Sequence, residues 1–139
     1  MVYQNNFPFL RIIINLFVFL LHDVSLQKTI LLIYILNIET ATKNCSVSIS
    51  KNGELVAIKE LNNGNYSHAE VLHPFINNVL KEANIGFENL SAIAVSKGPG
   101  SYTGLRIGVS AAKGLCFSLQ IPLISINTLA SLAHSISIE

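Results

Sequence analysis

The 139-residue sequence is poor in charged residues, in cysteine and in hydrophobic stretches of membrane-spanning length. Charged residues make up only 12% of the chain, about half the usual share. Nine basic and eight acidic residues leave a net charge of +1. This balance argues against a domain that holds nucleic acid through its own charge, because such domains are usually strongly basic. Two cysteines are too few for a disulfide framework, and no metal-like spacing joins them to the four histidines.

The N-terminal region differs from the rest of the chain in charge. Residues 1–36 hold three charged side chains and the other 103 residues hold fourteen. Ile12–Leu21 is apolar at nine of ten positions, but a membrane-spanning helix needs about 20 such residues. The small-residue cleavage pattern of a signal peptide is missing after it. Three interpretations remain: an uncleaved membrane anchor, a loosely packed extension, or translated upstream sequence. We expect residues 1–32 to lie outside the fold.

The next part of the chain has the pattern of three successive strands. Thr29–Ile38 is a near-continuous Ile/Leu run, typical of a buried central strand. Cys45–Ser50 alternates apolar and serine positions, which predicts a half-buried strand. Asn52 and Gly53 then predict a tight hairpin, because both residues accept positive φ, with Glu54–Leu61 as the return strand.

The second half alternates helices and strands. An apolar stripe predicts a helix over Ser67–Ala83, started by an S-x-x-E capping box and bent at its internal proline. Ala92–Ser96 and Pro122–Ile126 are predicted strands, and helices are predicted over Thr103–Leu119 and from Thr128 to Ile136. The order β-β-β-α-β-α-β-α predicts an α/β fold with a mixed five-stranded sheet flanked by helices. This is the arrangement of a ribonuclease-H-like lobe, and it does not by itself indicate a chemistry.

The glycine-rich segment K-G-P-G-S-Y-T-G-L-R, Lys97–Arg106, joins a predicted strand to a predicted helix. Such a loop suits an anion, because glycines permit close backbone approach and a helix start presents N–H groups. It matches neither the Walker A pattern nor G-x-G-x-x-G, and it equally fits an ordinary strand-to-helix turn. A second candidate is Glu39 with Thr40, where the first strand ends, although polar residues are common at strand ends. The candidate nucleotide or phosphate residues are Glu39, Thr40, Gly98, Gly100, Ser101, Thr103, Gly104 and Arg106.

The histidines and cysteines favour structural roles. His68 and His73 are five residues apart, so they lie about 140° apart around a helix and do not readily share a metal. We expect both at the surface. Cys45 and Cys116 fall on apolar faces and are expected in the core. No metal site and no catalytic residue are predicted.

Three segments carry a resemblance to a known family. They are I-L-N-I-E-T-A-T-K-N-C-S-V-S-I-S (Ile35–Ser50), S-H-A-E with the following Leu72 and Pro74, and K-G-P-G-S-Y-T-G-L-R-I-G-V-S-A-A-K-G-L (Lys97–Leu115). They resemble the Gcp-like, once glycoprotease-like, family of TsaB, a bacterial tRNA threonylcarbamoyladenosine biosynthesis protein. The resemblance runs from about Ile33 to His134. It therefore leaves residues 1–32 as an extension and 33–139 as an N-terminal lobe.

The resemblance implies a non-catalytic role. The catalytic paralogue TsaD shares the glycine-rich block but also carries a metal-binding H-x-E-x-H pattern, whose positions align here with Thr128, Ala130 and Leu132. TsaB members have two actin-like lobes and support TsaD, which transfers a threonylcarbamoyl group to the adenosine next to the anticodon. The implied partners are a TsaD-like paralogue and a TsaE-like ATPase, with tRNA contacted only within the complex, in the cytoplasm and without a membrane. No cofactor of its own is expected, and ATP or ADP belongs to the complex.

The resemblance also implies a partner surface on the first two helices, for the paralogue or for a second copy. Its expected residues are Ser67, Glu70, Leu72, Gly108, Ala111, Ala112 and Leu115. A glutamate at Gly108 or Ala112 is expected to abolish pairing, unless these small residues only let the helix lie close on its own sheet. Because the sequence stops at Glu139, the second lobe is missing and a truncated product or remnant is an open alternative. Two further alternatives are a nucleotide-using enzyme of the actin and sugar-kinase superfamily and a small membrane-anchored protein.

Overall fold

The computed structural model describes residues 32–61 and 68–136, with side chains up to residue 133. The predicted apolar extension and the Ser67 end of the predicted capping box lie outside these residues. The strands are β1 (Tyr34–Glu39), β2 (Cys45–Lys51), β3 (Glu54–Leu61), β4 (Leu90–Gly98) and β5 (Leu123–Asn127). The helices are α1 (His68–Glu82), α2 (Tyr102–Leu119) and α3 (Thr128–Ile136), with a short 3₁₀ turn at Phe87–Asn89.

The five strands form one mixed sheet in the order β3-β2-β1-β4-β5. β1 pairs antiparallel with β2, and β2 pairs antiparallel with β3. β4 runs parallel to β1 on one side and to β5 on the other. The mixed five-stranded sheet predicted from the sequence is confirmed. Its central strand β1 is the near-continuous Ile/Leu run, as expected for a strand covered on both faces.

The hairpin between β2 and β3 turns at the two predicted residues. Asn52 and Gly53 have φ angles of 47° and 106°, so both lie in the left-handed region that the turn requires. The Asn52 N–H donates to the Ile33 carbonyl at 2.9 Å, and the Ile33 N–H donates to Asn52 Oδ1, also at 2.9 Å. The turn therefore also fixes the chain as it enters β1.

The main core lies between one face of the sheet and the two helices α1 and α2. It combines buried side chains of β1, β2 and β4, such as Ile38, Ile49 and Ile93, with Leu72 and Ile76 of α1. A smaller cluster occupies the opposite face and consists of Ile35, Ala92, Ala94 and Ile126. Since α1 and α2 contact each other and share one sheet face, their outward sides form a continuous surface.

The observed boundaries depart from the predicted ones at a few places. α2 begins one residue early, at Tyr102, because Ser101 acts as the N-cap and its Oγ accepts the Gly104 N–H at 3.2 Å. β4 is longer than predicted at both ends. The 3₁₀ turn was not predicted, since three residues carry no periodicity. None of the helices in the described part of the chain combines the length and hydropathy that a bilayer-spanning helix requires.

Candidate functional site

The two polar segments singled out in the sequence meet at one edge of the sheet. β1 and β4 are parallel neighbours, so the turn after Glu39 and the loop after Gly98 leave the sheet side by side. The Ser101 N–H donates to the Ala41 carbonyl at 2.6 Å, which ties the loop to the turn. The two candidate segments, which were predicted separately, therefore form a single junction at the carboxyl ends of β1 and β4.

The carboxylate of Glu39 is held by the chain itself. Its Oε1 accepts the Ala41 N–H at 2.6 Å, and its Oε2 accepts a hydrogen bond from the hydroxyl of Ser96. Ser96 is fully buried on β4 and was not singled out from the sequence. The sequence did contain a signal for this contact, namely a serine within an otherwise apolar strand segment. A buried hydroxyl needs a hydrogen-bond partner. Glu39 therefore joins the turn to the neighbouring strand.

The glycines of this region are required by contacts within the chain. A Cβ at Gly100 would collide with the Ala41 carbonyl, one at Gly104 with the Thr40 carbonyl, and one at Gly108 with the Thr40 hydroxyl. Gly98 has a φ of 109°, a backbone conformation that favours glycine. The glycines were expected to let a phosphate come close to the backbone. In the structure it is the turn after β1 that comes close, and it lies directly against the start of α2.

Of the remaining candidate residues in the loop, one caps a helix and two are exposed to solvent. Ser101 caps α2, as described, whereas Thr103 and Arg106 are exposed. The Arg106 guanidinium lies over the ring of Tyr102, 4.4 Å from its centroid. Within residues 32–61 and 68–136, no three His, Cys, Asp or Glu side chains are grouped so as to hold a metal ion. The contacts of Glu39, Ser101 and Gly104 within the chain make this region a structural junction.

His68 corrects an expectation from the sequence. It was expected at the surface but is only 2% exposed, and its Nε2 lies 2.9 Å from the Thr42 carbonyl oxygen. The cause is the junction, because α1 begins against the turn after β1 and Gly104 leaves room for the imidazole ring. His73, five residues further along α1, is exposed as predicted.

Both cysteines lie in the main core, as predicted. Burial raises the pKa of the Cys45 thiol to about 11, with a smaller contribution from the nearby charge of Glu39. Burial also raises the pKa of the Cys116 thiol, whose Sγ lies 3.5 Å from the Pro122 carbonyl oxygen as a donor. Because the thiolate is the nucleophile, neither cysteine is suited to covalent chemistry.

The outer side of α2, with His73 of α1, lines an open groove of about 430 Å³. We call it the α1–α2 groove, and its lining residues are His73, Ile107, Ser110, Ala111, Gly114 and Leu115. Two residues of the predicted partner surface, Ala111 and Leu115, line this groove.

Other residues assigned to the partner surface lie elsewhere. Leu72 and Ala112 are both fully buried in the main core, and Gly108 is buried against Thr40. Gly108 and Ala112 belong to the buried stripe of α2, which repeats every four residues, and Leu72 belongs to the buried side of α1. All three therefore face the interior of the chain and are removed from the predicted surface. Glu70 is exposed on α1, and Ser67 lies outside the described residues.

A β-meander followed by two parallel crossovers, with a tight turn-to-helix junction beside the first strand, defines an actin-like, ribonuclease-H-like α/β lobe. Comparison with known proteins identifies it further. Residues 63–139 match the family model described as TsaD, tRNA N6-adenosine threonylcarbamoyltransferase. The chain belongs to this family, which its resemblance to TsaB had indicated, and it is a TsaB-like segment of it.

The relatives and solved structures agree with this placement. The TsaB of Haemophilus influenzae, a tRNA threonylcarbamoyladenosine biosynthesis protein, is 35% identical over 101 residues, covering 73% of this chain and 42% of the relative. A tRNA N6-adenosine threonylcarbamoyltransferase of Phocaeicola vulgatus is 37% identical over 117 residues, covering 73% and 34%. The structure of YeaZ from Pseudomonas aeruginosa is 32% identical with a TM-score of 0.62, covering 68% and 43%. The chain therefore spans less than half the length of each of these proteins.

Proposed function

We propose that this chain acts as a non-catalytic subunit of the tRNA threonylcarbamoyladenosine machinery. In this role it pairs with a TsaD-like paralogue, which transfers the threonylcarbamoyl group to the adenosine next to the anticodon. The observation that carries the proposal is the identity of about 35% to a TsaB protein over nearly three quarters of the chain. The fold supports it, since the five-stranded sheet with its helices resembles the structure of YeaZ from Pseudomonas aeruginosa with a TM-score of 0.62.

The residues of α3 support a non-catalytic role. The metal-binding pattern of the catalytic paralogue aligns with Thr128, Ala130 and Leu132, which offer one hydroxyl and two aliphatic side chains. Zinc and similar metals are bound by His, Cys or carboxylate ligands. The Thr128 side chain is also buried, whereas Leu132 is 55% exposed. These positions therefore supply no ligand set for a transferase metal.

The partners follow from the same proposal. The near-neutral charge fits a subunit that contacts tRNA only within a complex. A TsaE-like ATPase would join the pair in the cytoplasm, and ATP or ADP would bind at the level of the complex. The exposed α1–α2 groove, with its mostly apolar lining, is the surface that we assign to the paralogue.

The competing proposal of a nucleotide-using enzyme receives less support from the junction. Such an enzyme needs an acidic residue to hold magnesium beside the phosphates. Among the residues that the structure describes, Glu39 is the acidic candidate at this edge, and its two oxygens already accept hydrogen bonds from Ala41 and Ser96. The loop glycines are likewise occupied by contacts with the turn.

Reconstitution with the TsaD-like paralogue encoded in the same genome tests the proposed function. The full chain, the paralogue and the ATPase are assayed singly and together for modified adenosine in tRNA by mass spectrometry. We expect no product from the chain alone and more product when it is added to the other two proteins. Product from the chain and substrate adenylate without the paralogue would show that it is itself an enzyme. No change on addition would contradict the subunit role.

A further inference from the structure

The side of the sheet that faces away from α1 and α2, here called the opposite face, is deeply buried. Ile35 on β1, Ser50 on β2 and Ala92 on β4 are cross-strand neighbours on this face, and each is at most 2% exposed. α1 and α2 pack on the other side, and α3, the remaining helix of the described residues, has its main contacts with β4 and β5. The burial of the half formed by β1 and β2 therefore calls for a further covering segment.

Asn37 of β1 lies within this half, and one atom of its side chain lacks a hydrogen bond. The side chain is 4% exposed, and its Nδ2 donates to the Ser48 hydroxyl at 3.3 Å. Its buried Oδ1 accepts no hydrogen bond from the part of the chain that the structure describes. Most buried side-chain polar atoms have a hydrogen-bond partner, so we expect a polar donor to approach the opposite face beside Asn37.

The chain that precedes β1 reaches the sheet on this same side. Ile33 packs against the smaller cluster of the opposite face. Upstream of it, Ile12–Leu21 is apolar at nine of ten positions, and the exception is Asn15. The ten residues 22–31 that separate this run from the described chain can span about 33 Å when extended. A sheet of five strands is only about 19 Å wide, so the run can reach any part of the face.

We propose that Ile12–Leu21 packs on the opposite face over β1 and β2, with the Asn15 amide as the donor to Asn37 Oδ1. The neighbours of Asn37 on this face are small, Ser48 on β2 and Ala94 on β4, which leaves room for the large side chains of the run. Packing there removes the run from water, which a bilayer would not do for so short a segment. The inference departs from the expectation that the N-terminal extension lies outside the fold, and it is independent of the proposed function.

A disulfide pair in the full chain tests the proximity directly. Asn15→Cys is combined either with Ser48→Cys, on the opposite face, or with Asn78→Cys, which is exposed on α1 at the other side of the sheet. The two native cysteines are buried and have raised pKa values, so they react slowly. After mild oxidation, peptide mass spectrometry is expected to show about tenfold more of the link to Ser48→Cys than of the link to Asn78→Cys, because a docked segment has a high effective concentration at its own site.

Two results of the cross-linking would overturn the proposal. Equal yields of the two links would show that the segment visits both sides of the sheet alike. A link to Ser48→Cys that forms only within a disulfide-bonded dimer, seen on a non-reducing gel, would mean that the segment covers a second copy instead of its own sheet.

Urea unfolding of the full chain, followed by circular dichroism, tests the packing independently. Phe17→Asp places a charge within the run, and Phe7→Asp makes the same change outside it. We expect Phe17→Asp to lower the urea midpoint by about 1 M or more, since a buried charge without a partner is costly, and Phe7→Asp to change it little. Complete unfolding of Phe17→Asp beside a folded Phe7→Asp protein would also support the proposal.

Equal urea midpoints for the two variants would contradict the packing. Phosphatidylcholine vesicles test a membrane as the other destination of the run. Sedimentation of the wild type with these vesicles that Phe17→Asp abolishes, at an unchanged urea midpoint, would assign the run to a bilayer and overturn the proposal.

Discussion

The inner and outer sides of α2 both carry small residues, but for different reasons. On the inner side, Gly104, Gly108 and Ala112 are buried against the chain's own turn and sheet. On the outer side, Ser110 and Gly114 are exposed and line the α1–α2 groove. A stripe of small residues in the sequence can therefore indicate either packing within the chain or a surface open to a partner. Only the contacts made at each position distinguish the two. The inner stripe preserves the fold, and the outer one is available to a partner.

The same contrast applies to the junction beside the inner stripe. The glycine-rich block suggests a phosphate loop, because glycines let a ligand come close to the backbone N–H groups. In the structure, that approach is made to the backbone of Thr40 and Ala41, and Glu39 and His68 hold the same turn through hydrogen bonds. A motif that is typical of ligand binding thus serves here to join β1, α1 and α2.

Placing a charge on each side of α2 has the largest expected effect. Ala112→Glu would bury a carboxylate without a partner, which typically costs about 3–5 kcal/mol, a large share of the 5–15 kcal/mol that holds a domain together. We therefore expect Ala112→Glu to unfold the chain. This is the alternative left open in the sequence analysis, whereas the family resemblance implied a folded protein that cannot pair. Gly114→Glu, on the outer side, should remain folded. Urea unfolding followed by circular dichroism measures both variants, and a cooperative, wild-type transition for Ala112→Glu would contradict the inner placement.

These cases show which parts of the molecule follow from the sequence. The order of helices and strands along the chain, the Asn52-Gly53 hairpin and the position of α2 were predictable, because they depend on local periodicity and turn chemistry. The face that each small residue of α2 presents was not predictable. Glycine and alanine contribute little to a hydrophobic pattern, so the stripe at residues 104, 108 and 112 could not be told from the one at 107, 110, 111, 114 and 115.

The burial of His68 was missed for a related reason. A lone histidine near a helix start reads as a surface residue, since the sequence does not show that the turn after β1 returns to meet it. Its partner, the Thr42 carbonyl, is 26 residues away. The link between Ser96 and Glu39 spans 57 residues. Long-range polar pairs of this kind depend on the assembled sheet, and local pattern carries no information about them.

Alkaline destabilisation provides a second test of the core beneath the inner side. The Cys45 thiol has a pKa of about 11 in the fold against an ordinary value of 9.0. The unfolded chain therefore loses this proton first, and stability that is fully present below pH 9 should fall as the pH rises towards 11. A shift of this size corresponds to about 2–3 kcal/mol.

Chemical denaturation at pH 8 and at pH 10.5 measures this effect, and Cys45→Ala is the control because it removes the titrating group. The loss of stability between the two pH values should be smaller in Cys45→Ala than in the wild type. Equal losses of stability in the two proteins would show that deprotonation of Cys45 does not cause the loss at high pH.

A single methyl group on the inner side should have a moderate effect. Gly104→Ala would force a Cβ onto the Thr40 carbonyl and close to the His68 ring. Overpacking of this kind usually costs about 1–3 kcal/mol, which outweighs the gain in helix propensity from replacing a glycine. We expect a lower urea midpoint for Gly104→Ala with an unchanged slope. A midpoint above the wild-type value would mean that the turn can move away from α2 at little cost.

The same methyl group on the outer side should change the free energy of unfolding in the opposite direction. Gly114→Ala adds a Cβ where nothing lies within 4 Å, in the interior of an 18-residue helix. Replacing a helical glycine by alanine restricts the unfolded chain and adds no clash here, so the free energy of unfolding should rise by up to about 1 kcal/mol. Thermal and urea unfolding of the free chain, compared with Gly104→Ala in the same buffer, measure the difference in sign. A destabilised Gly114→Ala protein would mean that the space beside Gly114 is already filled in the free chain, and the distinction between the two sides of α2 would then be lost.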